Sequence, residues 1–249
     1  MSFATLAPPF ASPAHLGQAL AQQGHALVSP QAVCELAGCL ARDLHDLARS
    51  WDALPSDNYL KDGGKYRRRR HSCFVVQGEH IELAPHRAHW QPLEYNALHG
   101  GMQRWFEPVA GQVLDHRAWN PLLRWLAHVS SELRGEQPWF VEAHQFRIDT
   151  TDGIGRPTPE GAHRDGVDLV AVFLVARHDV KGGETRVFEA DGPSGRRFTL
   201  TEPWSLLLLD DARVIHETTP IQPDGANPYR DTLVVTFRSG GFQGDNGLA

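Results

Sequence analysis

Beyond residue 138 the apolar pattern changes period. Helical spacing gives way to short runs rich in β-branched and aromatic residues: PWFVEAHQFRI, VDLVAVFLVA, ETRVFEA, RRFTLTE, WSLLLLDDARVIHE and RDTLVVTFR. Turn-forming GG, DGPSG, EP and PDGAN separate most of them. Many short strands joined by turns suggest a sandwich or a barrel. This predicts residues 138–238 as the core of a single β domain within 1–249.

The preceding residues, 1–137, read as helices and mixed segments packed outside that core. Ser12-Pro13 and Gly24 suit the start and stop of a helix over 13–23. Ser29-Pro30 opens a longer one to about 48, in which Val33, Leu36, Ala37, Leu40, Leu44 and Leu47 form one stripe. A third runs from Asn120-Pro121 to Gly135. Residues 50–118 mix short strands with loops, and the tail 239–249 is expected to fray.

With 249 residues the chain has ample length for a core. A net charge of −6 argues against a nucleic-acid partner. No apolar stretch is long enough to span a membrane, and the proline-broken start MSFATLAPPFASPA does not suit a signal peptide. Cys34, Cys39 and Cys73 match neither a disulfide framework nor a zinc knuckle, which suits a reducing cytoplasm. Nothing here sets an oligomeric state. Fourteen histidines raise the prospect of metal chemistry.

The segment EGAHRDGVDLV at 160–170 contains H-R-D, a kinase catalytic-loop signature. The Asn that should follow five residues after the Asp is Val170, and no D-F-G is present, so that reading fails. In extended backbone, i and i+2 point to one side, so His163 and Asp165 converge and Arg164 turns away. An imidazole and a carboxylate suit Fe(II) but need a third ligand. His216, at the end of the apolar run LLLLDDARVI, is the best candidate. Two His and one carboxylate make the facial triad of non-heme iron oxygenases.

His163-x-Asp165, His216 and Arg230, with the phrases EAHQFRI, GGET, LLLLDDARVIHETTPI and YRDTLVVTF, resemble the 2-oxoglutarate-dependent Fe(II) dioxygenases. The likeness over about 140–238 is to the branch that includes L-isoleucine 4-hydroxylase and other hydroxylases of free amino acids. It implies a mainly β fold with flanking helices (α+β), built on a double-stranded β-helix of the jelly-roll or cupin type. It also implies Fe(II) on His163, Asp165 and His216, with 2-oxoglutarate and O2 as co-substrates. Arg230 would grip the distal carboxylate as a fork, and Thr232, two along the strand, would add a hydroxyl. The substrate would be a small molecule, a free L-amino acid first of all. Related halogenases carry a small residue in place of the carboxylate, so Asp165 favours hydroxylation.

Other residues invite weaker readings. Gln145 and Arg147 alternate with Phe146, so either could face the interior, Gln145 toward the co-substrate and Arg147 toward a substrate carboxylate; an outer polar face suits them equally. Glu160 could receive a substrate ammonium or be solvated. Glu184 and Thr185 most simply stabilise the Gly-Gly turn. KYRRRRHS at 65–72 reads as a solvated edge strand with one Arg at the site entrance. His86 and His89 read as a surface pair. Rival functions are a metal-bearing barrel that binds a small ligand without catalysis, and a dioxygenase acting on a protein side chain.

Overall fold

A computed structural model describes residues 8–245. Its helices are α1 (Leu16–Gln23), α2 (Pro30–Ala37), α3 (Ala41–Ala48), α4 (Gly111–Leu114) and α5 (Trp119–Arg134). The strands are β1 (His25–Val28), β2 (Arg67–Gln77), β3 (His80–Leu83), β4 (Trp139–Asp149), β5 (Leu169–His178) and β6 (Val180–Gly182). They continue as β7 (Thr185–Glu189), β8 (Gly195–Phe198), β9 (Leu206–Asp210), β10 (Val214–Thr218), β11 (Ile221–Pro223) and β12 (Tyr229–Arg238).

A major antiparallel sheet has the order β1-β9-β5-β12-β4-β2-β3, opposed by smaller sheets β10-β7-β8 and β11-β6. This is the antiparallel core of a double-stranded β-helix with flanking helices, as the strand-rich pattern suggests. Three strands of the major sheet come from the N-terminal half, so 1–137 is not merely packed outside the barrel. β2 pairs with β4 along ten positions, from Arg67 opposite Ile148 to Val76 opposite Trp139.

Strand alternation sorts the side chains into two layers. On β12, Leu233, Val235 and Phe237 join Val141 and Ala143 of β4 and Leu206 and Leu208 of β9 beneath Trp51, Trp119, Leu122 and Leu126 of the helical layer. The opposite parity, including Val170, Leu174, Leu207 and Leu209, packs between the sheets with Val187, Phe198 and Val214. Where the smaller sheets stand off β2, β4 and β12, this inner layer turns polar and lines a cavity.

The continuous helix expected to 48 is broken. Gly38 adopts φ 67°, its N–H bonds to the Cys34 carbonyl, and the chain restarts at Ala41. Leu40, assigned to the apolar stripe, is 52% exposed at this break. The tail is also docked rather than frayed over 239–245: Phe242 is buried edge-on to Phe140, and Gln243 donates to the carbonyls of Asp165 and Gly166 at 2.7 and 2.9 Å.

Candidate active site

His163 lies on an extended segment bridged to β10. His163 and His216 exchange both backbone N–H···O bonds at 3.0 Å, which brings their rings to 4.6 Å. Asp165 completes the group: its Oδ1 is 3.9 Å from His163 Nε2 and its Oδ2 is 3.8 Å from His216 Nε2. Gly166 turns the chain with φ 75°, and a Cβ there would sit 2.4 Å from the Tyr95 ring. Arg164 lies outside the cavity, in a separate hollow beside Tyr95 and Ile215.

The donor set suits a metal ion. His163 Nδ1 donates to the Gly161 carbonyl at 2.9 Å, which leaves the Nε2 lone pair turned toward Asp165. His216 Nδ1 is buried without a partner. Burial pushes Asp165 up to about 7, with Asp211 and Glu160 adding repulsion against the attraction of His163. Burial pushes His216 well down. Acceptor atoms therefore face one another in a desolvated space, an arrangement that a cation would satisfy.

Asp211 underlies this centre, and the sequence reading passed over it within LLLLDDARV. Fully buried, it accepts backbone N–H bonds from Asp165 at 3.0 Å, Gly166 at 2.7 Å and Val167 at 3.1 Å. The available signal was a second carboxylate next to an apolar strand, costly there without donors.

Across the cavity, Arg230, Thr232, Val234 and Thr236 alternate along β12. Arg230 is 4% exposed. It has no carboxylate within ion-pair distance among the described residues. Burial, and then the like charge of Arg177, pushes it down to about 10. The Gly-Gly turn packs here: a Cβ on Gly183 would lie 3.0 Å from Arg177 Nη1 and 4.0 Å from Arg230 Cδ. Glu184 and Thr185 hold this turn to Thr219 and Thr218, through a 2.9 Å bond from the Glu184 N–H to Thr219 Oγ1 and a 3.4 Å hydroxyl contact.

Deeper in the cavity wall lies a second group with metal-capable atoms, His71, His89, Glu142 and His144. Glu142 Oε2 accepts from His71 Nε2 at 2.9 Å and His89 Nδ1 at 2.7 Å. Burial alone would raise Glu142, but His89 and His71 hold it well below the usual carboxylate range. Burial keeps the imidazoles neutral. Arg69 Nη2 donates to His144 Nδ1 at 2.9 Å, so the His144 proton sits on Nε2 and faces Glu142. Imidazole protons already satisfy this carboxylate, and a guanidinium stands beside it. The chemistry of the two groups thus differs: the first lacks a cation, the second does not.

Several expectations are corrected by strand parity. Gln145 and Arg147 point away from the cavity, because His144 and Phe146 occupy the inner face of β4. Gln145 is 0% exposed and donates to Ser50 Oγ at 2.9 Å. Arg147 forks onto Asp231 at 2.8 and 2.7 Å, reaches Asp52, and lies 4.3 Å over the Tyr229 ring. Neither is placed to touch a co-substrate or substrate. Glu160 does line the cavity, 3.5 Å from His163 Nε2. The arginine run is no solvated edge: Arg67 and Arg69 face inward, and Pro55, Asp57 and Glu107 bond the outer edge of β2. His89 is buried in the array, not a surface partner of His86, which bonds the Phe106 carbonyl.

Comparison with known proteins follows the same lines. The family model described as 2OG-Fe dioxygenase matches residues 48–236. A crystal structure of a bsmA homolog from Methylobium petroleophilum PM1 is 51% identical, with 94% of this chain and 96% of that chain covered and a TM-score of 0.89. IDO from Bacillus thuringiensis is similar in fold at 18% identity, over 91% of this chain and 98% of its own, with a TM-score of 0.74. The Fe(II)/(alpha)ketoglutarate-dependent dioxygenase TqaL is likewise similar in fold, at 19% identity, 91% and 86% coverage and a TM-score of 0.68. No curated protein matches the sequence significantly.

Proposed function

The chain belongs to the 2OG-Fe dioxygenase family, and from that premise we propose that it hydroxylates a free L-amino acid, with His163, Asp165 and His216 as its Fe(II) ligands. Bound Fe(II), 2-oxoglutarate and O2, which this family uses, supply the oxidising power and yield succinate and CO2. Asp165 fills the ligand position that halogenation would need open. Arg230, buried and unpaired, is suited to grip the distal carboxylate of 2-oxoglutarate as a fork, with Thr232 beside it. The backbone bridge to β10 holds His163 beside His216, and Asp211 holds the loop that carries Asp165.

The observation that carries the substrate class is the charge inventory of the cavity. Arg67 is neutralised by Asp57 at 2.7 Å. Arg69, Arg104 and Arg230 then face Glu142, Glu160 and Asp165. A ferrous ion and dianionic 2-oxoglutarate cancel, so a substrate with no net charge leaves this desolvated space balanced. A zwitterion also offers both signs to walls that carry both signs. Glu160, beside His163, is placed to take an ammonium.

No helix among the described residues is long and apolar enough to cross a membrane. The free thiols of Cys34, Cys39 and Cys73 support a cytoplasmic location. The test is a screen of free L-amino acids for succinate formation by the iron-loaded protein. A hit whose turnover disappears in Asp165→Ala and His216→Ala is expected. Stimulation by no amino acid would overturn the substrate class, and full turnover in either variant would overturn the ligand set.

A further inference from the structure

After Arg230 is given to 2-oxoglutarate, two buried guanidinium groups in the same cavity are near carboxylates but touch none of them directly. Arg69 is 3% exposed and Arg104 is 2% exposed. Neither forms an ion pair with any described residue. Each spends one nitrogen on a neutral acceptor: Arg69 Nη2 donates to His144 Nδ1 at 2.9 Å, and Arg104 Nη2 to Gln91 Oε1 at 3.0 Å. The Nε of each is buried without a partner. Burial presses both below the usual arginine range, Arg104 to about 10. The like charges of Arg104 and Arg67 add to this at Arg69, and that of Arg67 at Arg104, against the attraction of Asp57 and Glu142. Two like charges confined this way are costly unless an anion is shared between them.

Their orientation is fixed. The Arg69 guanidinium lies 4.0 Å from the Phe106 ring centroid and 4.6 Å from that of Phe146, within cation–π range of both rings. Arg104 is tied to the candidate iron ligand through one residue, because Gln91, which accepts from it, donates to Asp165 Oδ1 at 3.3 Å. A group held by this pair is therefore anchored next to the reacting centre.

We propose that Arg69 and Arg104 form a two-arginine clamp for the carboxylate of the substrate, and so select free acids over their amides and esters. The inference rests on the reading of this cavity as the substrate site, and it replaces Arg147 as the carboxylate partner. The clamp needs only a carboxylate, so it is testable apart from the amino-acid reading.

The experiment titrates compounds calorimetrically into protein loaded with Zn(II), as a redox-inert stand-in, and 2-oxoglutarate. The compounds are L-amino acids, the matching 2-hydroxy acids and N-acetyl amino acids, each as free acid and primary amide. On wild-type protein, at least one acid is expected to bind on the order of 10- to 100-fold tighter than its amide. Arg104→Gln and Arg69→Lys should each erase that preference and leave 2-oxoglutarate affinity unchanged. Acid preference confined to hydroxy or N-acetyl acids would retain the clamp and sink the amino-acid reading. Equal binding of acids and amides by wild type, binding of no compound in either series, or a loss of affinity that falls on 2-oxoglutarate would each overturn the clamp. The wild-type comparison decides the matter even if a variant fails to fold.

Discussion

Replacing Asp211 by Asn changes one oxygen to an NH2 group and should weaken metal binding strongly. In the native arrangement Oδ2 accepts from Gly166 at 2.7 Å and Val167 at 3.1 Å, while Oδ1 accepts from Asp165 at 3.0 Å. Asn can keep its oxygen where two N–H groups converge, but its NH2 then opposes the Asp165 N–H. One charge-assisted bond becomes a donor–donor contact, and the other two lose their charge. With about 1.5–3 kcal/mol for a bond to a charged group, the net cost is about 3 kcal/mol. If that cost falls on ordering the metal loop, Zn(II) or Co(II) affinity drops about 100-fold. Chelator competition measures it, and a urea denaturation midpoint on the same variant shows any share that falls on global stability. The control is Asp210→Asn, whose carboxylate pairs with Arg134 on the helical side and should leave metal affinity unchanged. Wild-type affinity together with wild-type stability in Asp211→Asn would refute the reasoning.

Arg230→Lys trades a planar fork for a point charge and should raise the KM for 2-oxoglutarate on the order of 10- to 100-fold, with metal affinity preserved; an unchanged KM would remove Arg230 from that role. Gly183→Ala would place a methyl 2.8 Å from Ile221 Cγ2 at a φ of 70°, costing about 1–3 kcal/mol in a denaturation experiment, and a neutral result would show that the turn yields. Acid should destabilise the fold through the buried imidazoles. His89 is lowered from 6.5 to about 3, so as pH falls below 6.5 the unfolded chain takes a proton that the folded chain refuses. Stability is lost from there down to about 3, by about 2 kcal/mol between pH 7 and pH 5 from this residue. His71 and His144 act in the same direction, and equal urea midpoints at the two pH values would contradict this.

The proximity of His163 and Asp165 was legible because it depends only on local strand alternation, and the separate turns announced the strands. Arg230 was legible only through the family resemblance, since taken alone it reads as a surface charge, and Thr232 followed as the residue two along the same strand. β4 was not legible, because both of its faces are buried. Gln145 sits under the helical layer and His144 in the cavity, and hydrophobicity cannot tell a polar side chain that faces helices from one that faces a site. The partners that make Arg67 and Arg69 affordable inside, Asp57 and His144, lie elsewhere in the chain. A charge run without its partners looks solvated. Helical periodicity likewise continued across Gly38, although the backbone there reverses hand.

The arginines of β2 have a consequence for how this stretch can change over evolutionary time. Arg68 and Arg70 bond Asp149, Glu107 and a carbonyl on the outer face, where a lysine serves nearly as well. Arg67 and Arg69 use the planarity of the guanidinium against a carboxylate and against aromatic rings, where lysine does not. One letter repeated four times therefore carries two unrelated instructions, read from opposite sides of the strand. Drift at one pair is uncoupled from drift at the other.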